Sequence, residues 1–424
     1  MTTSLPPEPA TDPPVDPPAD LPLWRQREYM LLWHSQIVST LGAYASGIVV
    51  PLLILAMTGS ASAAGLARAL GVVPYILLSL PVGVWVDRWD RRRVMVWCDI
   101  GRAAVASSVV LALLFDALTL THLYAVALLQ GTLLVFFNLA EVAALPRVVA
   151  KRQLPEAIAQ NQAGHAGAAI AGPALGTWLL QHGGQIWPFA VNALGFLASA
   201  ASVWRLRTPL AAAPSQAPRN LRAEMMVGLR WLWQQTLVRH MAVITCLSNF
   251  VGAALQLLII VLAKQQGAGE AQIGLIFSAA GIGGLLGAVA GGWIARRLSF
   301  GQAIAGTLAL QALMLPLMLL WPEPMMLAAV YAVYMFCAPV YNVVQLSRRL
   351  AMIPEGLQGR VNSAFRMAAN LLVPAGAGLC GLLVDHWSAA GTLALFAAVL
   401  ALLALVAALD PVVQREGRDA PSGY

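Results

Sequence analysis

Between residues 83 and 102 the chain reads GVWVDRWDRRRVMVWCDIGR, and seven of those positions, Asp87 to Arg93, hold four arginines and two aspartates inside otherwise apolar sequence. Charges of both signs at this density can form ion pairs that break and re-form. Asp99 and Arg102 follow at i and i+3, the spacing of a pair on one helix face. Glu141 is the only other carboxylate well inside an apolar run. His34 and His165 carry the side chain whose ordinary charge change falls nearest neutrality, so each is either a proton carrier or a hydrogen-bonded structural residue. Other chemistries lack their residues. The two lysines, Lys151 and Lys264, do not follow glycines, so there is no GxxxxGK[ST] phosphate loop and no ATP-driven step within this chain. The six histidines lack the spacing that puts two ligands on one helix face. Cys98, Cys246, Cys337 and Cys380 share no metal-ligand spacing and read as packing thiols. No cofactor and no metal are expected.

The elements that carry these residues follow from composition. Hydrophobic residues make up 59% of the 424 and charged residues 11%, about half the charge of a soluble protein. Apolar runs of about 20 residues recur, each long enough for a ~30 Å hydrocarbon core. Twelve spans are expected: 29–57, 61–86, 94–116, 120–146, 157–181 and 186–205, then 236–262, 272–295, 300–321, 325–347, 362–384 and 389–410. With the N-terminus inside, all of the 26 basic residues except Arg68 and Lys264 fall on the cytoplasmic side or within two turns of it. This places both termini in the cytoplasm of a multi-pass inner-membrane protein. The net charge of +7 is then an orientation signal facing anionic lipid, and no nucleic-acid partner is implied.

Two stretches differ. Residues 1–23 form a Pro-rich tail, with eight prolines in the first 22 positions, too polar to bury a core. Residues 208–235 form a linker that ends in MMVGLRWLWQQ, where Met225, Leu229 and Leu232 recur at helical spacing beside Trp231 and Trp233, as in an interfacial helix. Bundles are expected over 24–207 and 236–410, with a cytoplasmic tail over 411–424. The halves echo each other at an offset of about 200: LPEAIAQNQAGHAGAAIAGPALG from Leu154 matches IPEGLQGRVNSAFRMAANLLVPAGAG from Ile353, and GVWVDR matches GWIARR, with Arg296 in the place of Asp87. Such duplication is an architecture of transporters that rock two bundles about a central site.

GVWVDRWDRRR resembles the G-x-x-x-D-R-x-x-R-R loop signature of the major facilitator superfamily. PLLILAMTGSASAAGL from Pro51, ALPRVVAKRQLPEA from Ala144, GPALG from Gly172 and IPEGLQGRVNSAFR resemble its branch of enterobactin and macrolide exporters, over roughly residues 24–410. The resemblance implies an all-α membrane protein, twelve transmembrane helices in two pseudo-repeated six-helix bundles. It also implies secondary efflux coupled to protons rather than enzymatic activity. It makes the charge cluster a gating latch; a basic run that only enforces topology is the alternative, and the two roles can coexist. Asp87 would face the N-terminus of the eleventh helix, Gly83 would let helices approach closely, and Arg88, Arg91 and Arg92 would pair with acids at neighbouring helix ends. Glu141, ~7 Å from the cytoplasmic end of its span, is a partner for Arg91 or Arg92, or else a proton carrier; Asp99 and Arg102 pair with each other or join the latch. Gly172, Pro173 and Gly176 resemble the exporters' antiporter motif, with Ala168 where a further glycine is usual; packing and a kink are the alternative. Gly42 is followed by Ala43, where some relatives carry an acid.

Polar and aromatic residues near mid-span are candidates for a large, mostly apolar cavity: Gln36, Tyr44, Gln130, Asn249, Gln256, Tyr334, Tyr341, Asn342 and Asn370. Arg68 lies ~10 Å below the outer surface, where it either snorkels outward or faces the cavity and meets an anionic or carbonyl-rich substrate. The expected partners are a hydrophobic or amphiphilic small molecule, protons and the bilayer, with the chain acting as a monomer. A siderophore exporter, a lipid translocase and a non-transporting scaffold are the alternatives.

Overall fold

A computed structural model describes residues 21–210, 221–320, 323–354 and 357–415. The expectations for the N-terminal tail over 1–20, the middle of the linker over 211–220 and the C-terminal tail beyond 415 lie outside them. Among the described residues the regular structure is helical, because in hydrocarbon a helix satisfies its backbone within one segment. Six long helices come first: α1 (Arg27–Thr58), α2 (Ala61–Arg88), α3 (Arg91–Leu114), α4 (Leu120–Val148), α5 (Leu154–Gly183) and α6 (Ile186–Trp204). The short α7 (Leu221–Gln234) follows, and then α8 (Thr236–Gln265), α9 (Glu270–Arg297), α10 (Phe300–Leu320), α11 (Pro324–Met352), α12 (Gln358–Asn370), α13 (Val373–His386), α14 (Ala389–Leu409) and α15 (Pro411–Arg415).

Counting α12 and α13 as one, eleven candidate spans among the described residues are long and apolar enough to cross a membrane. α5 is less apolar, yet its 30 residues span ~45 Å and connect the end of α4 to the start of α6 on the opposite face. Helix starts are set by local chemistry. Ser60 accepts from the Ala63 amide to cap α2, Asp90 from Arg92 to cap α3, Thr119 from His122 to cap α4, and Ser388 from Gly391 to cap α14. Gly59 ends α1 at φ 66°, a left-handed conformation that costs glycine nothing.

Two expectations change. The eleventh span is not continuous: α12 stops at Asn370 and α13 starts at Val373, with Pro374 in its first turn. Proline has no N–H for the Asn370 carbonyl and its ring excludes it; the Asn370 side chain donates to the Arg366 carbonyl at 2.8 Å. Arg102 is not near a helix end. It lies eleven residues into α3, ~16 Å from the first residue.

α1–α6 pack on one another, chiefly α2 on α4, α3 on α4 and α6, and α1 on α5 and α6; in the second group α9 packs on α11, α10 on α11 and α14, and α8 on α12 and α13. Between the groups, α2 packs on α13 and α5 on α9, while α12 packs on α7 and α8. The face bearing the Asp87–Arg93 loop also bears Arg296, Arg297, Arg348 and Arg349 and is called the basic face; the other, bearing the α1–α2 and α13–α14 turns, is the far face. Glycines set how closely helices meet. A Cβ on Gly176 would overlap the backbone of Ala45, whereas one on Gly83 would meet nothing within 4 Å. Gly176→Leu is therefore expected to destabilise the first bundle by about 1–3 kcal/mol or more, read as a lower melting temperature in detergent, while Gly83→Leu melts as the wild type does.

Candidate functional site

The contacts between the bundles lie in the half nearer the far face. On α9, a Cβ on Gly274 or Gly281 would press on Thr177 or on Ala169 and Ile170 of α5, and the Ser278 hydroxyl donates to the Ile170 carbonyl at 2.6 Å. On α13, Gly381 lies against the backbone of Ala61 and Ser62, and Gly65 of α2 lies against Ala377 and Gly381. Nearer the basic face, among the described residues, no comparable packing joins α2 to α12; Arg366 touches Tyr75, and beyond it a Cβ on Gly83 would meet nothing within 4 Å, so the helices part in a cleft toward that face.

Asp385 closes the far face. Its carboxylate accepts from the Ser60 hydroxyl at 2.8 Å, from the Ala61 and Ser62 amides at 2.8 Å each, and from the Ser62 hydroxyl. An acid from the second bundle thus caps the N-terminus of a helix in the first, satisfying orphan amides and complementing the helix dipole. Sequence reasoning missed it, although the signal was present: GLLVDH, Gly381 to His386, repeats the G-x-x-V-D-basic pattern of GVWVDR, Gly83 to Arg88. The same pattern ends the second and the eleventh spans on opposite faces. At Gly381 and Asp385 the helices touch; at Gly83 and Asp87 they stand apart.

The expected latch residues are consequently not engaged across the cleft. Asp87 is exposed and lies 3.8 Å from Arg91, on its own side, rather than on α12. Arg92 donates to the Leu206 carbonyl at 2.7 Å and Arg93 lies 3.8 Å from Asp90, so these arginines hold the loop and the chain leaving α6. Arg88 is exposed. Trp85, Trp89 and Phe136 stack beside them at 6.1–6.3 Å, as aromatic rings do at a membrane interface. Glu141 is not paired with Arg91 or Arg92. It is 5% exposed, interacts with Gln36 of α1, and has no cationic partner among the described residues.

Asp99 and Arg102 form a buried pair at 3.6 Å. Ser199 of α6 donates to Asp99; Arg102 donates to Ser39 of α1 at 3.1 Å and to Gln130 of α4 at 3.4 Å, and lies 4.0 Å above the ring of Phe196. The pair ties α1, α3, α4 and α6 together inside the first bundle and does not join the latch. Gln130 is occupied there and does not serve the cavity.

The other cavity candidates divide. Tyr44, Arg68 and Asn342 are exposed, and Gln256 is half-buried. Gln36, Tyr334 and Tyr341 are buried within bundles, Tyr341 hydrogen-bonded to Thr245 at 2.8 Å. Asn249 donates to the Ala369 carbonyl at 3.0 Å, across the α8–α12 contact. A residue's depth in a span does not tell which way it points, which is why these were read alike. Gly172 and Gly176 pack on Tyr44 and Ala45, and the Pro173 carbonyl accepts from Thr177 at 3.0 Å, so the antiporter-like stretch seats α5 on α1. His34 is exposed beside Trp33, and His165 is half-buried. Among the described residues no three His, Cys, Asp or Glu side chains converge on a metal site.

The family model described as Major Facilitator Superfamily matches residues 32–371 and 241–422. The chain belongs to the major facilitator superfamily. It is 29% identical over 407 residues to the multidrug efflux pump Tap of Mycolicibacterium fortuitum, covering 90% of this chain and 95% of that protein. It is 26% identical over 383 residues to the enterobactin exporter EntS of Escherichia coli O1:K1 / APEC, covering 88% and 90%. The fold matches a bacterial homologue of the iron transporter ferroportin in an inward-facing state, with a TM-score of 0.67 at 17% identity, covering 91% of this chain and all of that one. The protein is thus a multi-pass membrane transporter with exporters among its relatives.

In this conformation Asp385 ties the second bundle to the first at the far face. Replacing it removes a shared cap worth about 1–2 kcal/mol at so exposed a site. Asp385→Ala is expected to raise, roughly 5- to 30-fold, the rate at which a far-side thiol reagent labels a cysteine placed at Ala377 in a chain without its native cysteines.

Proposed function

We propose that this protein exports hydrophobic or amphiphilic small molecules from the cytoplasm by alternating access, driven by proton entry. The observation that carries the reading is the cleft, shut at the far face by Asp385 and open toward the basic face. The excess of arginines makes the basic face cytoplasmic, so this conformation receives substrate from inside and both termini are cytoplasmic. The chain carries its own two bundles and acts as a monomer. Its similarity to Tap and EntS supports outward transport.

Turnover needs the far face to open and the basic face to shut. Asp87 then leaves Arg91 and takes at α12 the place that Asp385 holds at α2, while Gly83 admits the approach that Gly381 now allows. Asp87→Asn and Gly83→Leu should both fold and reach the membrane yet slow efflux about tenfold, because removing a few kcal/mol from one of two nearly balanced states leaves the other dominant. Efflux at the wild-type rate, at equal expression, would remove the latch from the mechanism.

Glu141 is the proton site of this reading. A carboxyl buried beside one amide and no cation can be neutral or charged according to which face reaches it, as coupling demands. In inside-out vesicles Glu141→Gln is expected to abolish pH-gradient-driven dye accumulation while leaving exchange of dye down its own gradient. Accumulation that persists with its pH dependence intact would return Glu141 to a structural role.

A further inference from the structure

Along α2, Ala61, Gly65, Arg68, Val72 and Tyr75 fall on one stripe, since seven residues bring the helix round to nearly the same direction. Ala61 and Gly65 meet α13 of the second bundle. Arg68 is the next residue on that stripe, so it stands where the bundles part, at the closed end of the cleft. Tyr331 of α11 and Tyr44 of α1 lie within electrostatic range of its guanidinium, one from each bundle, and the side chain is exposed. This placement favours the cleft over snorkelling along a lipid-facing surface. Two turns on, Tyr75 meets a second guanidinium: Arg366 of α12 reaches across the cleft and donates to the Tyr75 hydroxyl at 2.9 Å. Arg349, stacked 3.8 Å over Phe365, adds positive charge behind Arg366. Among the described residues no carboxylate pairs with Arg68 or Arg366.

We infer that the cleft binds organic anions, amphiphiles whose carboxylate or phenolate groups are taken by Arg68 and Arg366, at levels about 10 Å apart along α2, while tyrosines and aliphatic walls cover the body. An arginine in a membrane interior is costly unless partnered, and the guanidinium fork matches a carboxylate with two parallel hydrogen bonds. Here the partner arrives as substrate. A cation of the same size meets two like charges in a site of low dielectric and is turned away. Tyr44, exposed beside Arg68, offers its ring to an aromatic body.

The inference rests on the exporter reading, and the test separates the two. Fluorescein and rhodamine 123 share a xanthene body and differ in charge; Nile red is neutral. Their accumulation is measured in inside-out vesicles containing the full chain. The wild type should accumulate fluorescein over rhodamine 123 by about tenfold or more, the value of one charge-assisted contact. Arg68→Gln should lose about that factor for fluorescein and leave Nile red unchanged, and Arg68→Lys should recover most of it; Arg366→Gln should act as Arg68→Gln does. Unaltered melting temperatures exclude misfolding as the cause. Transport of rhodamine 123 or Nile red in preference to fluorescein, or equal losses for all three dyes in Arg68→Gln, overturns the inference and leaves the exporter standing. Transport of none of the three overturns both.

Discussion

The conformation depends on one contact, the seating of α13 on the start of α2. Small residues make it possible, since Gly65 and Gly381 bring backbone against backbone and dispersion attraction is gained without a side chain to order. Asp385 makes it specific, because four donors of the α1–α2 turn converge on one carboxylate. An apolar contact alone would slide; a capped helix terminus has a register. The α5–α9 contact is the second between the bundles, so the far half of the interface is closed by two helix pairs.

Charges inside the membrane fall into two groups. Asp99 and Arg102 are paired, hydrogen-bonded to Ser199, Ser39 and Gln130, and sandwiched by aromatic rings. Both lie within the first bundle, and their contacts join four of its helices. Glu141, Arg68 and Arg366 have no countercharge of their own among the described residues. Permanent pairs build the bundles, and the groups without a countercharge are those to which we assign a proton, at Glu141, and a ligand, at the arginines.

The architecture was legible in the sequence because its signals are long-range averages: hydropathy over twenty residues, arginines alternating between loops, two halves with matching prolines. Span limits fall within a few residues of helix ends for the same reason. The latch was legible only as a loop on one face, since the comparison matched the second span with the eighth, by parallel duplication, and passed over GLLVDH on the eleventh, which is related by inversion. Pro374 marks the repeat in the sequence, while its lack of a backbone donor, which separates α12 from α13, acts only through the Asn370 carbonyl it leaves without a partner in the helix. The cavity was the least legible part. Tyr334 and Tyr341 share α11 and polarity with Asn342, yet they point inward while Asn342 is exposed; direction around a helix is decided by packing partners from the other end of the chain.

The break between α12 and α13 bears on how the membrane stays electrically tight. A rigid rod running from face to face would carry any motion of its cytoplasmic end straight to its outer end, and both ends could part from α2 in one swing, leaving a water column that discharges the ion gradient of the cell. An interruption at mid-depth weakens that coupling. α12 is held by α7 and α8, whereas α13 is held by α2 and α8, so a tilt of the inner segment would not by itself unseat the outer one.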